Sequence, residues 1–241
     1  MTLLSYFLLV LSVFAGAALA FWLKDMTEKY LKLGLAFSGA FILGITVLHL
    51  LPGIYTGDNH MIGIWILAGF LIQLFLEFLS GGLEHGHVHA HNHQVNSFLI
   101  QVMVGLIIHS FIEGLPLDNY QELHAGHDHG EGVLLYGILL HKIPAAFALT
   151  LFMIQSKLSK GMTFLILFVF AMASPLGSFV GSMIELNEEG LKILLAIVVG
   201  SFLHIATVIL FENEDEHHHK FSWSKFVVIL IGFAIAIGAS L

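Results

Sequence analysis

Stretches of about 20 apolar residues recur along the chain, separated by short polar segments, and this recurrence most limits what the chain can fold into. Each stretch is long enough to cross a hydrocarbon core of about 30 Å as a helix. An open strand in lipid would leave backbone groups without partners, so helix is the expected conformation. Charged residues make up 11% of the chain, whereas soluble domains carry about 25%. The sequence therefore predicts an all-α polytopic membrane protein.

About eight transmembrane helices are predicted, joined by short connections within a single domain that covers residues 1–241. Their approximate ranges are 3–23, 33–55, 61–83, 97–117, 133–156, 162–184, 190–211 and 221–241. Two connections are rich in histidine: a loop at 84–96 and a loop at 118–132, which also carries acidic residues. The first apolar stretch lacks a charged segment before it and a convincing cleavage site, so we interpret it as a retained span.

The distribution of lysine between the connections predicts the orientation of the chain in the membrane. The connections after spans one, five and seven carry the lysines Lys24, Lys29, Lys32, Lys157, Lys160, Lys220 and Lys225, whereas the opposite connections are acidic. By the positive-inside rule, the lysine side is cytoplasmic and both termini are extracytoplasmic, with the plasma (inner) membrane as the expected location. All nine basic residues are lysine and the net charge is −8, so no basic face for nucleic acid is expected. Cysteine is absent, which excludes disulfides and thiolate metal sites.

Two short motifs place ionisable groups inside apolar spans: His109-Ser-Phe-Ile-Glu113-Gly-Leu-Pro116 in span four and His141-Lys-Ile-Pro144 in span five. Such groups are costly at bilayer depth and usually face a cavity, a partner or a metal. His109 and Glu113 are four residues apart and share one helix face with Ser110. His109 and His141 each lie about eight residues from the outer end of their span, which puts both about 12 to 14 Å deep on antiparallel helices. The two motifs are therefore expected to face each other.

Proline accompanies both motifs. Pro116 and Pro144 cannot donate a backbone hydrogen bond, so they leave the carbonyls of Ile112 and Leu140 without their usual helical partners. Broken helices near the midplane are a recurrent means of building ion sites in transporters.

The motifs of spans four and five resemble the paired signatures of the ZIP family (Zrt/Irt-like metal transporters). Further matches are His49-Leu-Leu-Pro52, Ser174-Pro175-Leu-Gly177 and Gly200-Ser-Phe-Leu-His204 in spans two, six and seven. The eight-span plan, the outward termini and the histidine-rich loop after span three agree with this family, so the resemblance extends over the whole chain.

The resemblance implies that His109, Glu113 and His141 coordinate the transported ion, with Ser110 at the position of a second-site ligand. Members with a two-metal site carry a carboxylate and a glutamate or histidine where this chain has Lys142 and Ala145. We therefore expect a single metal, with the Lys142 ammonium paired to Glu113 in place of the second. The alternative is a lysine that extends towards the membrane surface.

Weaker candidates surround this core. His49 and His204 are possible ligands, although a lone histidine on an apolar helix is more often structural, and Asp118 is either a cation entry point or a solvated helix end. The loop histidines predict weak, reversible metal capture or simply solvated loops. They are His85, His87, His89, His91, His93, His124, His127 and His129.

These features together predict a transporter that takes a divalent transition metal into the cytoplasm by alternating access. Zinc is the first choice of substrate, with iron, cobalt, manganese or cadmium also suited to nitrogen and oxygen ligands, and no organic cofactor is expected. The resemblance implies that spans one, four, five and six move against spans two, three, seven and eight in a homodimer within the lipid bilayer. The alternatives are an intramembrane metal-dependent hydrolase, which would be an enzyme, and a metal sensor or efflux carrier.

Overall fold

The computed structural model describes residues 1–23, 28–55, 61–80, 95–123, 132–211 and 222–239, and within these ranges all regular structure is helical. The helices are α1 (Leu3–Trp22), α2 (Glu28–Ile45), α3 (Leu51–Ile54), α4 (Ile62–Ser80), α5 (Val95–Gly114), α6 (Leu117–Leu123), α7 (Val133–Gln155), α8 (Lys160–Ser182), α9 (Glu188–Phe211) and α10 (Trp223–Gly238). A π-helical turn at Thr46–Leu50 joins α2 to α3. The predicted all-α fold is confirmed.

Seven helical segments in the described part of the chain are long and apolar enough to cross a membrane. The eighth, α10, is apolar but has 16 residues, which at about 1.5 Å per residue falls short of a core of about 30 Å. Large apolar side chains cover the outward surfaces, as Leu67 and Phe78 on α4 illustrate with 64% and 80% of their surface exposed. A contiguous apolar exterior of this kind is stable against lipid and not against water.

The two prolines beside the polar motifs affect their helices differently. The helix of span four ends at Gly114, and α6 begins only after the turn at Leu115 and Pro116. The carbonyl of Ile112 accepts a hydrogen bond from the Leu115 N–H at 3.2 Å, so it is not left open to a ligand as the sequence suggested. Pro144, in contrast, lies inside a continuous α7.

The helices pack in two sets. In the first, α1 packs against α7 and α8, and α5 packs against α8; in the second, α4 packs against α9 and α10 against α2, while α2 also contacts α9. The contacts of α2 with α7 and of α4 with α5 join the two sets. The residues of the predicted site lie along this boundary.

Glycine brings two helix pairs into backbone contact, one in each set. A methyl group added at Gly69 of α4 would fall 2.0 Å from the carbonyl oxygen of Ile197 on α9, and one added at Gly114 of α5 would fall 2.3 Å from that of Ser174 on α8. Small residues let helices approach closely in a membrane, where packing rather than apolar burial drives association. Each pair therefore forms a closely fitted unit.

We expect Gly69→Ala to lower the thermal stability of the purified protein because a Cβ cannot be placed without separating α4 from α9. Overpacking of this kind typically costs about 1–3 kcal/mol. Gly34→Ala is the matched control, since nothing lies within 4 Å of its added methyl group. Thermal unfolding in detergent compares the two, and equal midpoints would contradict backbone contact between α4 and α9.

Candidate metal site

Three side chains from two facing helices converge in the middle of the bundle. His109 and Glu113 lie one helical turn apart on α5, and His141 lies opposite on α7; all three are buried, with 5%, 1% and 7% of their surface exposed. One ligand atom from each lies within 4.8 Å of the others. Among the described residues, no other group of three or more histidines, aspartates and glutamates is this close. The structure therefore brings together the three residues predicted as the core of the site.

The two oxygens of Glu113 face different partners. Its Oε2 lies 2.8 Å from His141 Nε2 and 3.3 Å from His109 Nε2. Its Oε1 lies 2.7 Å from Lys142 Nζ and 2.9 Å from Ser174 Oγ, whose single hydrogen is shared with the Ser110 carbonyl oxygen at 2.7 Å. One carboxylate oxygen thus faces the Lys142 ammonium group, and the other faces the two imidazoles.

Lys142 extends into the protein rather than towards the membrane surface. Its side chain is 1% exposed, its Nζ donates a hydrogen bond to Ser110 Oγ at 2.9 Å, and it lies 4.9 Å from the centre of the Phe170 ring. A buried charge requires such compensation. Ser110, predicted as a second-site ligand, accepts this hydrogen bond from the ammonium group.

Each imidazole is oriented by a hydrogen bond at its Nδ1. His141 Nδ1 lies 2.9 Å from the Gly137 carbonyl, which can only accept, so this nitrogen carries the proton and Nε2 faces Glu113. His109 Nδ1 lies 3.4 Å from Ser201 Oγ, which in turn donates to Gln73 Oε1 at 3.0 Å. Metal-binding histidines usually have such a partner on the second ring nitrogen.

Sequence reasoning missed three residues of this network. Ser174 and Ser201 belong to the short motifs of spans six and seven, but neither serine, nor Gln73, is predicted from the sequence to contact the site. A signal existed for Gln73, because it lies four residues before Glu77 in an otherwise apolar span and the two share a helix face. Which residues lie opposite that helix face, however, depends on how α9 packs against α4.

The other predicted candidates lie apart from this cluster. His204 pairs through Nε2 with Glu77 on α4 and is buried edge-on against Phe70. Asp118 pairs with the amino group of Met1. His49 lies half-buried in the π-helical turn. The predicted loop histidines, from His85 to His93 and from His124 to His129, fall outside the described residues.

A small cavity adjoins the site on one side. Its polar lining comes from His109, Ser110, His141, Lys142 and Ser38. Its apolar lining includes Leu106, Ala145, Ile205 and Ile209, which lie between the site and the end of the bundle where α7 ends and α8 begins. On the opposite side, a large apolar cluster that contains Leu50, Ile54, Leu117, Leu134 and Leu195 fills the space between the helices.

The donor set is chemically suited to a divalent transition metal. Two imidazole nitrogens and one carboxylate oxygen, without sulfur, match the ligands that Zn²⁺ accepts, and three protein ligands leave a fourth position open. With neutral imidazoles, Glu113 and Lys142 cancel each other's charge before any metal binds.

Comparison with known proteins gives a consistent result. The family model described as "ZIP Zinc transporter" matches residues 82–239. Protein zntD of Dictyostelium discoideum is 31% identical over 171 residues, which are 65% of this chain and 24% of that protein. Zinc transporter ZIP9 of Micropogonias undulatus is 27% identical over 157 residues, 61% of this chain and 49% of that protein.

Zinc transporter ZIP1 of Danio rerio is 29% identical over 167 residues, 65% of this chain and 51% of that protein. The chain thus matches about a quarter to a half of the length of these curated relatives. The family model, however, covers well over half of the chain itself. The chain belongs to the ZIP family.

Proposed function

We propose that this protein carries a divalent transition metal, with zinc as its main substrate, into the cytoplasm by alternating access. The observation that carries the proposal is the buried convergence of His109, Glu113 and His141 on facing helices of a ZIP-family chain. Relatives named as zinc transporters support zinc as the substrate. Iron, cobalt, manganese and cadmium share the same ligand preference and are secondary candidates.

An intramembrane hydrolase fits the site less well than a transporter. Hydrolysis assisted by a metal needs a general base beside the bound water. Glu113 is the carboxylate at this level, and it is already engaged by Lys142, Ser174 and the two histidines. The geometry therefore supports binding and release of a metal ion more than chemistry on a bound substrate.

The proposed direction rests on the lysine distribution and the cavity. The cavity adjoins the site on the lysine-rich side of the bundle, which is predicted to be cytoplasmic. The opposite side is closed by the apolar cluster. This arrangement matches the cytoplasm-facing state of an uptake cycle, in which Asp118 would lie at the outer entrance. An efflux carrier would use the same two states in the reverse order.

We propose that the two helix sets are the moving parts. The set of α1, α5, α7 and α8 holds all three predicted ligands and Lys142, while the set of α2, α4, α9 and α10 faces them. Close backbone contacts within each set favour motion between the sets over deformation inside them. By the family resemblance, the working form is a homodimer, embedded in the plasma membrane.

We further propose that Lys142 takes the place of a second metal. Its ammonium occupies one face of the Glu113 carboxylate, where a second cation would otherwise bind. A site that carries fewer negative charges should bind one ion weakly and release it quickly.

The first test is uptake of radiolabelled Zn²⁺ into cells or proteoliposomes. We expect His109→Ala and Glu113→Ala to abolish most of the uptake because each removes a ligand and, for Glu113, leaves the Lys142 charge buried without its partner. Glu188→Gln is a control, since Glu188 forms an exposed pair with Lys192 far from the site. Normal uptake by both ligand variants would disprove the site, and a wild type that moves no divalent metal would disprove the function.

The role of Lys142 is tested by Lys142→Asp. Two carboxylates would then face each other without the ammonium, so we expect two Zn²⁺ ions per chain instead of one and a larger rise in the thermal midpoint on zinc addition. Metal analysis of the purified protein after equilibrium dialysis gives the stoichiometry. A variant that is folded with zinc and still binds a single ion would contradict the charge-replacement argument.

Orientation is testable because the chain has no native cysteine. Ser159 is exposed in the connection between α7 and α8, so we expect Ser159→Cys to react with a membrane-impermeant thiol reagent applied from the cytoplasmic side and not from outside. Ser182→Cys is the matched variant at the opposite end of α8, where Ser182 is also exposed, and it should react only from outside. Labelling of Ser159→Cys from the outside alone would reverse the predicted orientation.

A further inference from the structure

His109 contacts both helix sets. Its Nε2 faces Glu113 on its own helix at 3.3 Å, and its Nδ1 lies 3.4 Å from the Ser201 hydroxyl on α9, in the opposite set. The orientation of His109 is thus set partly by α9, a helix that carries none of the three predicted ligands.

The chain of hydrogen bonds determines which nitrogen of His109 carries a proton. Ser201 donates its single hydroxyl hydrogen to Gln73 Oε1 at 3.0 Å. It can therefore only accept from His109 Nδ1, which must be the protonated nitrogen. The Nε2 lone pair then faces Glu113 and His141, as metal binding requires.

Ser201 and Gln73 are hydrogen-bonded to each other across the α4–α9 pair. Gln73 is 1% exposed and Ser201 is 6% exposed, and both lie where α4 and α9 are in backbone contact. A methyl group added at Gly200, the residue before Ser201, would fall 2.0 Å from the carbonyl oxygen of Ile66 on α4. The position of the hydroxyl is therefore a property of the α4–α9 pair.

We infer that Ser201 and Gln73 are positioning residues, which hold His109 in its metal-binding tautomer and orientation only while α5 lies at its present height beside α9. The inference rests on the proposed transport function. A shift of one helical turn between the two sets, about 5.4 Å, carries the imidazole beyond reach of the hydroxyl. The metal affinity of the site then differs between the two positions of the moving set.

Equilibrium binding of Zn²⁺ and Co²⁺ to the purified full-length chain tests this inference. We expect Ser201→Ala to raise the Kd by about 10- to 100-fold, the usual effect of losing a hydrogen-bond partner of a ligating histidine, and to change the visible absorption of bound Co²⁺. Ser201→Thr keeps the hydroxyl and should recover both. Ser12→Ala is the matched control, because Ser12 is also a buried serine, bonded only to Leu9 of its own helix among the contacts described.

Gln73→Met separates hydrogen-bond direction from packing. Methionine fills a similar volume but removes the acceptor, so the Ser201 hydroxyl is released to donate to His109 Nδ1. That reversal would place the proton on Nε2, so we expect a loss of affinity at least equal to that of Ser201→Ala. The double variant should bind no more weakly than the weaker of the single variants, because both act through one imidazole.

The possible outcomes distinguish a failure of this inference from a failure of the proposed transport function. Wild-type affinity and Co²⁺ absorption in both Ser201→Ala and Gln73→Met, in a protein that binds and transports metal, would overturn the positioning role alone. Fully additive losses in the double variant would also overturn it. A wild type that neither binds nor transports divalent metal would instead overturn the proposed function.

Discussion

The site depends on the interactions of the Glu113 carboxylate. This group lies in a membrane span and is shared between a buried ammonium and two imidazoles. An isolated carboxylate at this depth would be too costly to keep ionised. Lys142 and Ser174 hold one of its oxygens and thereby keep the other directed at the histidines. Without Lys142, the same helices would present either a neutral acid or an uncompensated charge.

The groups that hold Glu113 all belong to one helix set. Lys142 lies on α7 and Ser174 on α8, and both helices belong to the same set as α5, so the proposed movement between the sets would leave this ion pair intact. The link from His109 to Ser201 crosses to the other set. Contacts within one set therefore hold the site together, and the contact between the sets is the one that the proposed movement would break.

Much of the site could be predicted because it depends on spacing along single helices. The four-residue interval from His109 to Glu113, and the equal depth of His109 and His141, follow from helix geometry and span length alone. The inward course of Lys142 followed from the cost of a charge at that depth. The end of α5 at Gly114 and the short α10 depend on local capping and packing, which the apolar pattern does not specify.

The contacts of Gln73, Ser174 and Ser201 could not be predicted in the same way. Each is a small or neutral polar residue whose partner lies on another helix, so its role depends on the rotation of that helix about its axis. Glycine determines those rotations here, since Gly69 and Gly200 fix which faces of α4 and α9 meet. The sequence contains these glycines but does not indicate which pairs of them meet.

The charge of Glu113 is compensated by the Lys142 side chain. The site without a metal ion therefore has no net charge while both imidazoles are neutral. With both imidazoles neutral, a divalent ion would change the charge of the site from zero to two. A membrane potential does work of about 2.3 kcal/mol per elementary charge per 100 mV. If the proposed alternating-access cycle moves the site between these two charge states, a potential that is negative inside would favour inward movement of the loaded site and would do no work on the return of the empty site.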